Sequence, residues 1–127
     1  MERRVFAALT AGGHADLTPA KARLVARIGT NGSRLTDLAA QAQVTKQTAS
    51  ALADQLVRAG YLERVPDPTD GRARLLRLTP TGRAAADLAN RTADEVQAEW
   101  ISHLGKRAAA ELRKTLTALR EVTDPYA

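Results

Sequence analysis

Residues 35–79, LTDLAAQAQVTKQTASALADQLVRAGYLERVPDPTDGRARLLRLT, decide the fold. Two helical segments, 36–42 and 45–59, meet at a tight corner, and a basic hairpin follows at once. On a helical wheel, Ala49, Leu52, Leu56 and Ala59 of the second segment cluster on one side, flanked by Thr48 and Gln55. Lys46, Gln47, Ser50 and Asp54 cluster opposite, so the polar row is concentrated in the first two turns. Val57 also faces outward on the wheel and is expected to pack locally.

The corner explains the pairing. Small Ala39 lets two helix axes approach, Val44 plugs the bend, and Leu52 packs back on the first helix. Thr45 is the natural N-cap of the second helix. This is helix-turn-helix spacing, in which the second helix enters a DNA major groove and its first residues meet base edges. Gln43 stands at a turn position where many such motifs carry glycine. The competing reading is a plain helical corner with a solvated polar face.

The side chains suit double-stranded DNA. Lys46 can bond guanine acceptors or a phosphate, Gln47 can pair with adenine through two bonds, and Ser50 can serve either kind of base edge. Thr45 and the free amides at the helix start favour a phosphate. Asp54, further back, is expected to repel misplaced backbone or accept from cytosine.

Gly60 gives the helix its exit, and strands are expected over 61–65 and 73–79. The turn formers of 66–71 join them, which puts Asp70, Arg72 and Arg74 at the tip and return of the hairpin. Arg72 there can enter a minor groove, and Asp70 can hold its guanidinium or fix the turn. Alternation sends Arg74 and Arg77 to opposite faces. A soluble hairpin with charged edges is the competing reading.

Outside this stretch the chain is helical. Thr18-Pro19 starts a helix over 19–29, with Ala22, Val25, Ala26 and Gly29 on one face and Leu24 and Ile28 nearby. Thr79-Pro80 repeats the device ahead of a long helix through Ala84, Ala85, Leu88, Thr92, Val96 and Trp100, which ends near Gly105. A last helix over 106–122 carries Ala109, Leu112, Leu116 and Leu119 on one stripe, with Asp124-Pro125 closing it. Those two late stripes could cover each other. The helix pair and hairpin already have a core of their own, however, so pairing of two copies is the better way to bury them.

The remaining composition excludes more than it suggests. The chain has 127 residues, enough for one domain with a modest core. Its 19 basic and 14 acidic side chains give +5, a balance that favours a polyanionic partner. Residues 1–33 and 34–83 each carry +3, whereas residues 84–127 carry −1. There is no cysteine, which excludes disulfides and thiolate metal sites. His14 and His103 lack ligand spacing and read as solvated or helix-end residues, so no metal and no cofactor is expected. No nucleophile–base pair or phosphate-cradling loop is present, so no enzyme is expected. No apolar run reaches membrane length and no signal-peptide core is seen, so the expectation is a soluble, cytoplasmic protein with no membrane partner.

The run VTKQTASALADQLVRAGYLERVPDPTDGRARLLRLTPTG resembles the winged helix-turn-helix of the MarR family of bacterial transcriptional regulators. The resemblance rests on the Gly60-Tyr61-Leu62 exit, the Asp70-Gly71-Arg72 wing tip and the Leu78-Thr79-Pro80-Thr81-Gly82 entry to the next helix. It covers residues 17–86 well and the C-terminal helices loosely. It implies a mainly α fold with a small β-hairpin wing, a winged helix-turn-helix plus C-terminal dimerisation helices. Residues 1–127 then form a single domain, with 17–83 as the DNA-binding part and 1–16 and 84–127 as the dimerisation part. By the same match, Lys46, Gln47, Thr48 and Ser50 fall on the recognition helix, and Arg72 and Arg74 on the wing.

The implied function is a homodimer on a pseudo-palindromic operator, commonly a repressor released by a small-molecule effector. A protein-interaction module or a ligand-insensitive DNA-binding protein are the alternatives. Three features depart from the family pattern. About 17 residues, including Gly12-Gly13, precede the LTPAKARLV helix, where members usually carry a longer N-terminal helix. The cysteines of the oxidation-sensing branch are absent. Aromatic residues, which often line phenolic-ligand sites, number one Phe, one Trp and two Tyr.

Overall fold

A computed structural model describes residues 1–124; Pro125, expected to help close the last helix, lies outside the described residues. The elements are α1 (Glu2–Ala11), α2 (Pro19–Ala26), α3 (Leu35–Ala42), α4 (Lys46–Arg58), β1 (Leu62–Asp67), β2 (Asp70–Leu78), α5 (Pro80–Leu104) and α6 (Lys106–Thr123). The fold is a winged helix-turn-helix with C-terminal helices, as the sequence leads one to expect.

Helix starts follow the threonine–proline signals. The Lys21 amide donates to the Thr18 hydroxyl at 3.4 Å, and the Gly82 amide donates to the Thr79 hydroxyl at 3.1 Å. Each bond satisfies one amide that the first turn would leave without a partner. The long α5 stops at Gly105.

Two helix ends shape the helix-turn-helix. At the end of α3, the Val44 amide donates to the Ala39 carbonyl at 3.0 Å and the Gln43 amide to the Ala40 carbonyl at 3.2 Å. This is a Schellman closure, and it requires the left-handed conformation that Gln43 adopts at φ 57°, ψ 42°. At the end of α4, Tyr61 donates to Leu56 at 2.9 Å and Gly60 to Val57 at 3.1 Å, with Gly60 at φ 86°. Glycine meets that demand without a Cβ clash; glutamine does not.

The core lies where α2, α3, α4, the wing and the start of α5 converge. Leu24, Leu38, Leu56 and Leu62 are its largest fully buried side chains, joined by Ala39, Ala49, Ala53 and Leu76. Burying a leucine stabilises by roughly 1.5–3 kcal/mol, so these four dominate the cohesion of the winged helix. The close approach of α5 to the wing depends on Gly82: a Cβ there would sit 2.1 Å from the Tyr61 carbonyl oxygen.

Several wheel assignments change. In α4 the buried stripe is Ala49, Ala53 and Leu56; Ala59 is an exposed cap residue, Leu52 is only half-buried, and Val57 packs against the core. In α2 the buried residues are Leu24 and Val25, Ala26 is exposed, and Gly29 lies beyond the helix. In α5 Ala84 faces solvent, while Gly82, Ala85, Thr92 and Val96 face inward. In the short α2 and α4 the cause is contact with neighbours on two sides, which a single wheel cannot anticipate.

The first sixteen residues hold a helix that the sequence reading did not assign. α1 lies along α5, with Leu9 buried, and an Arg4–Glu99 ion pair joins the two helices. His14, expected to be solvated, is instead bonded. Its Nδ1 lies 3.0 Å from the Tyr61 hydroxyl, which donates to Asp16 at 2.7 Å.

α6 differs from all the other helices in having no buried residue. Leu112, Leu116 and Leu119 stay about half exposed, as does Trp100 on α5. Arg27 and Arg120 reach Asp124 at 3.7 and 3.8 Å, tying the end of α6 to α2. The two late stripes therefore do not bury each other. Between them runs an open apolar groove of about 640 Å³.

Candidate nucleic-acid interface

The start of α4 is built by its cap. Thr45 accepts from the Thr48 amide at 3.1 Å, and its own hydroxyl donates to the Thr48 hydroxyl at 3.0 Å. Two of the expected contact residues are thus held against each other. Lys46 and Gln47 occupy the next positions, exposed, where backbone amides have no intrahelical acceptor. Ser50 follows, half-buried one turn on. The combination offers amide donors, a cation, a carboxamide and a hydroxyl along one polar edge.

Asp54 ends that edge with an intramolecular partner. It forms an ion pair with Arg64 of β1, so it braces the helix against the wing. This supersedes the expectation that Asp54 faces a nucleic acid unpaired. No sequence signal points to Arg64, because the pairing depends on how β1 crosses α4.

The hairpin is tighter than its turn formers suggest. β1 and β2 pair antiparallel from Leu62↔Leu78 to Pro66↔Arg74, with a register shift at Pro66/Asp67 before Asp67↔Asp70. Only Pro68 and Thr69 remain as the turn, so Asp70, Gly71 and Arg72 belong to β2 and form the return rather than the tip. Asp70 accepts from the Arg72 amide at 3.1 Å and fixes the backbone there, leaving the Arg72 guanidinium clear.

Ion pairing sorts the cations. Arg77 is bonded across the hairpin to Glu63 at 2.7 and 2.9 Å, Arg64 is paired with Asp54, and Arg34 with Asp67. Lys46, Arg72 and Arg74 are exposed and have no acidic partner among the described residues. Arg74 stands opposite Pro66 and Arg77 opposite Glu63, so the expected split between strand faces separates a free cation from a paired one. No direct bond joins the α4 group to the Arg72 group; the Asp54–Arg64 bridge connects their elements.

Asp67 anchors the wing's turn and was not singled out in the sequence. It is 5% exposed yet fully bonded. One carboxylate oxygen accepts from the Thr69 amide at 2.9 Å and hydroxyl at 2.8 Å; the other accepts from Arg34 at 2.7 and 3.0 Å. The Thr69 bonds, followed by Arg34, hold its pKa down at about 2. Near the joint of α4 and β1, burial pushes the Tyr61 hydroxyl up to about 12, assisted by its bond to Asp16. Among the described residues there is no cluster that could hold a metal ion, and no helix is long and apolar enough to cross a membrane.

A second cavity, of about 250 Å³, lies between α2, the end of β2 and α5. It is lined by Leu17, Val25, Leu78 and Ala85, with Arg83 and Asp87 also on its wall.

Comparison with known proteins agrees with this architecture. A family model described as MarR family matches residues 15–73. Transcriptional regulator Tm0710 from Thermotoga maritima is 26% identical over 95% of this chain and 87% of its own, with a TM-score of 0.64. A probable transcriptional regulator from Pseudomonas aeruginosa is 27% identical over 93% and 90%, with a TM-score of 0.62. A mutant of S. aureus MepR bound to an oligodeoxyribonucleotide shares the fold at 21% identity, covering 96% and 88%, with a TM-score of 0.66. No curated protein sequence matches significantly. Over residues 15–73, the helix-turn-helix and the first part of the wing, the chain is similar to the MarR family, and regulators of the same fold match nearly its whole length.

Proposed function

We propose that this chain is a sequence-specific DNA-binding transcriptional regulator that works as a homodimer on a pseudo-palindromic operator. The observation that carries this reading is the sorting of charges. Lys46, Arg72 and Arg74 lack acidic partners, while Arg34, Arg64 and Arg77 beside them are neutralised within the fold. Lys46, Gln47 and Ser50 read base edges, Thr45 and Thr48 form the cap that presents α4, and Arg72 and Arg74 engage the groove and backbone beside it, with Asp70 fixing the return. The DNA-bound structure of MepR, a protein of the same fold, supports the assignment.

Residues 17–83 are the reader in this account, and 1–16 with 84–127 are the dimerisation part. The support is α6, whose apolar stripe is left uncovered in the single chain. A second copy laid on the α5–α6 groove buries that stripe, and the pair is expected to meet half-sites one helical turn, about 34–36 Å, apart. A dimer seated on an operator excludes other proteins from the same duplex, which is repression. The 250 Å³ cavity, bordered by α2, Leu78 and α5, is the proposed seat of a releasing small molecule, since filling it alters how α5 meets the reader.

Fluorescence anisotropy of a labelled duplex across a salt series tests the reading. If Arg72 and Arg74 of two protomers each neutralise a phosphate, log affinity falls with log salt at a slope of about −4. Weak binding with a shallow slope makes the exposed face a protein-docking surface instead.

A further inference from the structure

The wing projects from the reader as a two-stranded ribbon, and two strands alone are marginal in water. Its base is secured. Ser33 and Leu76 exchange main-chain bonds at 2.9 and 2.8 Å, and Arg64, opposite Leu76, is tied to Asp54. Beyond Leu76 the ribbon continues for several residues to the Pro68–Thr69 turn. Among the described residues, a single side-chain tether from another element reaches this outer part: Arg34 on Asp67.

The geometry makes that tether directional. Arg34 is the N-cap residue of α3, yet its side chain makes no cap bond. The guanidinium instead sends Nε and Nη2 to the same oxygen of Asp67, at 3.0 and 2.7 Å. Asp67 uses its other oxygen on Thr69, so one carboxylate both closes the turn and binds it to the helix-turn-helix. The partners are unequal: Asp67 is buried, and the Arg34 side chain is 46% exposed. An exposed arginine at a helix start would ordinarily sample many rotamers; here the fork is fixed by a buried anion.

We propose that Arg34 is a positioning residue for DNA binding: through Asp67 it sets the angle of the wing, and so decides where Arg72 and Arg74 meet the duplex. This rests on the DNA-binding reading given above. Arg34 need not touch DNA to act. Its effect passes through Arg72, so the two residues are energetically coupled although no bond joins them.

The test is a double-mutant cycle on a selected operator duplex, with hydroxyl-radical footprinting of each complex. R34M is expected to weaken binding about tenfold, with the wing's flanking protection lost and the recognition-helix protection kept. R72A in the R34M background should add little, and R34K should restore part of the wing footprint. Amide exchange at Thr69 and Arg72 in the free protein should speed up in R34M, a readout that does not need DNA. Additive effects of R34M and R72A with an intact wing footprint overturn the positioning role alone. A wild-type chain that binds no duplex overturns the DNA-binding reading and the proposal with it, whatever the amide exchange shows.

Discussion

The Tyr61 hydroxyl donates to the Asp16 carboxylate at 2.7 Å, joining the joint of α4 and β1 to the segment that leads into α2. Because the hydroxyl has one proton, it accepts from His14, whose Nδ1 lies 3.0 Å away. Burial, then the Asp16 bond and charge, raise the phenol from its ordinary 10.0 to about 12. A group whose pKa rises on folding contributes its stability in full below the unfolded value. It loses that contribution as pH climbs through the folded one. Tyr61 should therefore stabilise the fold fully below pH 10 and progressively less towards 12. Absorbance titration of tyrosinate should show a component near pH 12 that Y61F removes; an ordinary midpoint for Tyr61 would contradict the arrangement.

Gln43 holds a left-handed conformation, the only described non-glycine residue to do so. Relief of that strain outweighs the added freedom of glycine in the unfolded chain, so Gln43→Gly should stabilise by about 0.5–1 kcal/mol. Denaturant unfolding measures it. A destabilised variant would mean that the Gln43 side chain contributes more than its backbone costs.

Gly82 faces backbone rather than a yielding side chain. A Cβ 2.1 Å from the Tyr61 carbonyl must push α5 away from the wing. Gly82→Ala should cost about 2–3 kcal/mol despite the better helix propensity of alanine. Thermal unfolding decides it, and a stability within about 0.5 kcal/mol of wild type would show that α5 and the wing adjust freely.

Leu116 lies in the middle of the uncovered α6 stripe and makes no core contact in the single chain. Leu116→Glu should leave helix content unchanged and shift the mass in sedimentation equilibrium from dimer to monomer. Wild-type protein running as a monomer would overturn the dimer, and an unaltered dimer in the variant would place the interface elsewhere.

Local chemistry made much of this molecule legible in its sequence. Thr18-Pro19 and Thr79-Pro80 located two helix starts, Gly60 and Gly105 two ends, and the polar row of Lys46, Gln47 and Ser50 the candidate edge. Such signals act over one or two turns and need no knowledge of the neighbours. What stayed hidden depends on distant pairing. Arg34–Asp67 spans 33 positions and Asp16–Tyr61 spans 45, and no pattern of spacing announces either bond. α1 was missed for a related reason: it is short, and its hold on the fold comes from lying on α5. The wing's turn was placed too wide because six consecutive turn formers conceal that Asp67 and Asp70 pair across a two-residue loop.

The central claim is that Lys46, Gln47 and Ser50 on α4 read base edges while Arg72 and Arg74 secure the wing. Its most direct test is selection of random duplex DNA by the full chain, repeated with Gln47→Ala. Enrichment of an inverted repeat with half-sites one helical turn apart is expected, with a relaxed preference at one position of each half-site in the variant, worth roughly 1–3 kcal/mol. Failure of the wild-type chain to enrich any duplex sequence, or an identical profile for the two proteins, would contradict it.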